Sequence, residues 1–294
     1  MSRPVPRQAR AARTVHDRGL PAAARRHPLA AYFLLAYVFS WGYWLPVAFT
    51  GGHLSHFPGL LGPMLSALLV TAVVQGRAGL EDLLSRMGRW RVPPRWYAMA
   101  AVPVVAAFLV LGGLGLTGRD LPSPGQLSTM PGLPALGWAG VLLLVLVVNG
   151  YGEETGWRGL AWPRLRQRHS LGGAALLVAI PWAVWHIPTF WLDTGMRGFS
   201  PLLLPGFLVG MAAGAVVLGW LYERTGCSVL IVALFHALLN MASATKGTEG
   251  LVAAVVSTVV IVWAVAILRA EGRHSDRQDS GPGWRPDPRR GVAV

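Results

Sequence analysis

The chain has 294 residues, 53% of them hydrophobic and 13% charged, with a formal net charge of +13. Soluble domains carry about 25% charged residues; here the apolar residues come in long unbroken runs, which excludes an ordinary soluble domain and implies an all-α polytopic membrane protein. The basic residues lie between those runs and not on one folded face, which argues against a nucleic-acid partner, and the single cysteine, Cys227, excludes an internal disulfide.

Taken in order, residues 1–28 hold seven Arg against one Asp and show no apolar periodicity. They read as a disordered basic tail beside an anionic membrane surface. The apolar segment behind them is too long for a signal peptide and carries no small-residue cleavage site, so it reads as a retained helix. Runs of spanning length fall at 29–49, 57–76, 96–117, 136–157, 172–192, 202–222, 226–244 and 250–268. Each approaches the roughly 20 residues needed to cross a bilayer. Between the second and third, residues 79–90 place Leu80, Leu83, Leu84 and Met87 at helical spacing among Arg and Trp, the pattern of an interfacial connector. Residues 117–134 read as a Pro/Gly/Ser loop, Glu223 to Gly226 as a tight turn, and residues 269–294 as a second disordered tail. With eight spans and both termini cytoplasmic, 23 of the 26 basic residues fall inside and 3 outside. That asymmetry is the one the positive-inside rule predicts. Nearly all of the positive charge is Arg, with Lys246 the one lysine; this bias suggests a bacterial cytoplasmic membrane.

Of the 13 acidic residues, only Glu153 and Glu154 lie deep in an apolar run. An ionisable side chain at membrane depth costs roughly 2.5–3.5 kcal/mol on insertion scales, so it defaults to a functional reading. With Pro163 ending the fourth span, Glu153 lies roughly 15 Å into it at about 1.5 Å per residue. His236 lies roughly 15 Å into the seventh span and His186 about 20 Å into the fifth, beyond a bend at Pro181. Glu154 and Arg158 are one turn apart in the favourable acid-first order and can pair, which leaves Glu153 on a neighbouring face for general-base work. His236 and Asn240 also share a helix face. The plainer reading is that such groups only bond helices together; six of them at matching depth on three spans favour one site. Gly150, Gly152, Gly156, Gly159, Ala233 and Ala237 allow close helix approach around it. Asn149, Trp182 and Trp185 either line the site or pack beside it.

Known routes to hydrolysis within a membrane narrow the chemistry. The H-E-x-x-H of zinc proteases is absent, no intramembrane Asp exists, and Ser228 sits at a span end outside any G-x-S-x-G. What remains is Glu and His acting on water, directly or through a metal. In order, Glu153-Glu154-x-x-x-Arg158, His186 on a following span and His236-x-x-x-Asn240 resemble the motifs of the CPBP intramembrane protease family. That family contains the type II CAAX prenyl endopeptidases and bacterial Abi-like proteins, some tied to bacteriocin self-immunity. The resemblance spans about Leu80 to Ala244, with one departure: Trp182 stands where the second motif usually has Phe.

The resemblance implies that Glu153 and His186 activate water, that His236 and Asn240 stabilise the oxyanion, and that Glu154 and Arg158 hold the site in shape. It leaves open whether Glu153, His186 and His236 ligate Zn2+ with an open fourth position or act without metal. The partners implied are membrane lipids and a membrane-associated or lipidated peptide, such as the prenylated C-a-a-X termini of the eukaryotic enzymes. A different class of function, a non-proteolytic carrier, scaffold or immunity protein using the same Glu/His cluster, fits the same residues.

Overall fold

A computed structural model describes residues 20–51, 54–192, 194–197 and 200–279. All eight predicted apolar runs are helical, and no strand occurs among the described residues. In hydrocarbon every backbone N–H and C=O must be satisfied within the element, which a helix alone does for a single segment. The helices are α1 (Leu20–Arg26), α2 (Pro28–Phe49), α3 (Gly62–Met87), α4 (Pro94–Ala100), α5 (Val102–Leu116) and α6 (residues 137–166). They continue with α7 (Leu171–Trp185), α8 (Leu204–Arg224), α9 (Val229–Ser243) and α10 (Leu251–Asp279).

Five segments are singly long and apolar enough to cross a membrane: Pro28–Phe49, Phe57–Met87, Leu171–Trp191, Pro201–Arg224 and Leu251–Arg273. The α4–α5 pair, bent by 52° at Ala101, forms a sixth when taken as one span. Large apolar side chains point outward, among them Leu34 and Val38 of α2, Phe108 and Leu109 of α5, and Ile180 of α7. An outer surface of this kind suits lipid and not water. The protein is a polytopic integral membrane protein.

Two predicted boundaries near the ends of the chain differ from the structure. Residues 1–19 of the predicted basic tail lie outside the described residues, but residues 20–28 are not unstructured. Ala and Arg favour the helix α1, Arg25 and Arg26 complement its C-terminal dipole, and Arg25 Nε donates to the Val73 carbonyl at 3.2 Å. At the other end α10 runs on to Asp279, past the expected end at residue 268, and residues 280–294 lie outside the described residues.

The second span and the amphipathic connector are joined at Gly76, whose φ of 66° and ψ of −154° break the helical path of α3. A side chain would be strained in that conformation, so glycine sets the hinge. The connector half is then tied to other helices: Tyr151 Oη donates to the Met87 carbonyl at 3.0 Å and Ser228 Oγ to that of Arg89 at 2.7 Å. Arg86 Nη1 reaches the Gly159 carbonyl at 2.7 Å and the Tyr222 hydroxyl at 2.6 Å.

The Arg86 contact explains why Pro163 does not end the fourth span, as the sequence led us to expect. Pro163 has no N–H to offer the Gly159 carbonyl four residues back, and Arg86 supplies the missing donor. The helix continues to Arg166. α6 is also irregular where the sequence implied one uniform helix. α-Helical stretches Gly137–Val145, Gly152–Gly156 and Trp162–Arg166 alternate with π-helical turns at Leu146–Tyr151 and Trp157–Ala161. Such turns are often found at functional sites, and this pair flanks the two glutamates.

Candidate active site

Residues 152–162 of α6 are all buried, with Glu153 at 1% exposure and Glu154 and Arg158 at 0%. Glycines bring neighbouring helices onto this stretch. A Cβ on Gly150 would lie 2.6 Å from the Ala233 carbonyl of α9, and one on Gly156 would collide with the Tyr32 hydroxyl of α2. The expectation that small residues permit close approach therefore holds at Gly150 against Ala233.

The predicted pair forms: Arg158 Nη1 lies 3.1 Å from Oε1 and 3.0 Å from Oε2 of Glu154. A second partner was not evident in the sequence. His236 of α9 places Nδ1 2.8 Å from Glu154 Oε1. A carboxylate already paired with Arg158 can only accept, so Nδ1 carries the proton and Nε2 is left for other work. Nε2 can then donate only when the ring is an imidazolium.

Glu153 faces the other way. Its Oε2 accepts from Trp182 Nε1 of α7 at 2.6 Å. The Trp182 ring lies beneath Arg158, with Cζ 4.7 Å from its centroid. It meets His236 edge-on at 5.7 Å and lies 6.0 Å from the ring of His186. Trp182 is therefore the residue around which Glu153, Arg158, His186 and His236 gather.

His186 caps the C-terminal end of α7, where the last carbonyls have no intrahelical partner. Its own backbone N–H turns back to the Ala183 carbonyl at 3.2 Å, and its Nδ1 lies 2.8 Å from the Trp182 carbonyl. A carbonyl can only accept, so Nδ1 is protonated and the neutral ring presents a lone pair at Nε2. The side chain is half-buried, facing Phe207 of α8 at 6.2 Å.

The remaining predicted residues divide. Asn240 is half-buried one turn beyond His236 on the same side of α9. Asn149 lies in the first π-helical turn, with its Oδ1 buried and without a partner among the described residues. Trp185 is fully buried, wedged between Trp44 at 4.6 Å, His186 at 4.8 Å and Trp157 at 5.9 Å. It packs the site from behind.

A zinc site built on Glu153, His186 and His236 does not fit this arrangement. No group of three His, Cys, Asp or Glu side chains among the described residues is placed to hold a metal ion.

A family model for Type II CAAX prenyl endopeptidase Rce1-like proteins matches residues 135–242, the stretch that holds every residue of this site. The CAAX prenyl protease 2 of Methanococcus maripaludis is 25% identical over 232 residues, covering 71% of this chain and 82% of its own length. Over this stretch the chain is similar to the CAAX prenyl proteases. Glu153, Glu154 and their three partners Arg158, Trp182 and His236 all lie within the matched region. The Trp182 departure noted in the sequence falls at the centre of the site, where it supplies an N–H that Phe lacks.

Proposed function

We propose that this chain is an intramembrane peptidase of the CAAX prenyl protease type, and that it hydrolyses a peptide bond near a lipidated or otherwise membrane-held end of its substrate. The supporting observation is that Glu153 and His186, from different helices, each present one uncommitted acceptor beside Trp182. In this reading a water donates one hydrogen bond to His186 Nε2 and gives its other proton to Glu153 Oε1 as its oxygen bonds to the scissile carbonyl carbon. The oxyanion that forms accepts from His236 Nε2–H, with the imidazolium held by Glu154, and from the Asn240 amide. Collapse of the tetrahedral intermediate breaks the C–N bond, and the proton held by the base passes to the departing amine. Arg158 holds Glu154 in place, so that the two glutamates have separate duties. The substrate class is supported by the name of the M. maripaludis relative and by the apolar surroundings of the site. The arginine-rich segments and both termini lie on the cytoplasmic side in this reading.

The test is cleavage of a farnesylated fluorogenic peptide by the full chain in proteoliposomes. Glu153→Gln is expected to lower kcat by about 10²–10⁴-fold, the range of general acid–base catalysis. Wild-type rates in a correctly folded Glu153→Gln protein would overturn the mechanism.

A further inference from the structure

We infer that Trp182 is a positioning residue that aligns Glu153 and His186 on one water, its indole holding the first and its backbone carbonyl the second. The inference rests on the functional reading above and adds to it the residue on which that pair depends.

The indole bond is short, 2.6 Å from Nε1 to Glu153 Oε2, and both side chains are buried, Trp182 at 5% exposure and Glu153 at 1%. An N–H given to a carboxylate away from water is of the stronger, charge-assisted kind. It also fixes which oxygen of Glu153 is left free. The Trp182 carbonyl, 2.8 Å from His186 Nδ1, fixes which nitrogen of that ring is basic. One residue thus sets the free acceptor on each half of the pair.

Trp182 is itself held from outside the site. On the first span Tyr37 Oη donates to the Pro181 carbonyl at 2.7 Å, and Trp41 Nε1 donates to the Trp185 carbonyl at 3.0 Å. These bonds bracket Trp182 along α7. Packing alone does not explain the indole. Trp157 and Trp185 pack in the same aromatic cluster with buried Nε1 atoms that have no partner among the described residues. The indole of Trp182 reaches an ionisable oxygen.

The experiment uses the full chain in lipid nanodiscs, labelled with 15N at the tryptophan indoles. The Trp182 signal is assigned by its loss in Trp182→Phe and is expected to move upfield in Glu153→Ala. In the peptidase assay Trp182→Phe, which keeps an aromatic ring and removes the N–H, is expected to lower kcat by about 10- to 100-fold, as for a lost hydrogen bond to a charged group. KM should stay within about twofold, because an interaction made with the reacting groups and not with bound substrate affects kcat. Benzothienylalanine at position 182, which keeps the full ring shape without the N–H, should reproduce the loss and assigns the signal if Trp182→Phe does not fold. A Trp182 signal indifferent to Glu153→Ala, or wild-type kcat in the benzothienylalanine protein, would overturn the positioning role. Wild-type protein that cleaves no peptide while the indole signal responds to Glu153→Ala would overturn the functional reading and leave the contact standing.

Discussion

Glu153 and Glu154 are neighbours in the chain with opposite surroundings: one bonded to an indole with an oxygen to spare, the other held by Arg158 and His236. The difference follows from helix geometry, since adjacent residues point about 100° apart. It predicts unlike mutants. Arg158→Ala leaves Glu154 as a buried charge with a single cationic partner, and should cost about 3–5 kcal/mol of stability, read as a large drop in thermal midpoint in detergent. Glu153→Gln should leave that midpoint within about 1 kcal/mol, because glutamine keeps an oxygen for the indole. The Glu154–Arg158 pair is legible in the sequence from its i, i+4 spacing. The Glu154–His236 bond is not, since it depends on how α9 is rotated against α6. The Trp182 bond is hidden for another reason: a tryptophan in an apolar run looks the same whether it packs or donates.

Among the elements, α6 departs furthest from what its residues suggest. Ionisable groups deep in an apolar run reveal that a span carries chemistry, but nothing in the residue order reveals π-helical turns, which need long-range partners to hold freed backbone groups. Arg86 is such a partner, linking the connector to Gly159 and Tyr222. Arg86→Ala should therefore cost about 1.5–3 kcal/mol, the value of a lost hydrogen bond from a charged donor, seen as faster backbone amide exchange around residues 157–163. The hinge at Gly76 gives a second prediction. Alanine there forces a side chain into φ 66°, ψ −154°, and strain of this kind costs about 1–3 kcal/mol. Denaturant titration in mixed micelles should show the loss, whereas Gly112→Ala inside α5, where no atom lies within 4 Å of an added Cβ and φ is ordinary, should cost nothing and stabilise by up to about 1 kcal/mol.

For the molecule as a whole, the helical membrane architecture is the most legible feature, because apolar length and the placement of arginine are large signals spread over the chain. Helix ends are less so: α1 and the extension of α10 fall where polar composition argues for disorder. The proposed orientation predicts that, in a Cys227→Ser background, a cysteine at Arg168 is labelled by a membrane-impermeant maleimide only from the cytoplasmic side. One at Ser123 should react only from the opposite side. The reverse pattern would invert the bundle. The central claim is that Glu153 and His186 act as one unit on one water, and a double-mutant cycle of kcat on a lipidated peptide tests it most directly. Glu153→Gln and His186→Asn should each cost about 10²–10⁴-fold, and the double variant about as much as the worse single one, as for residues that act as a unit. Losses that multiply, or full activity in either single variant, would contradict it.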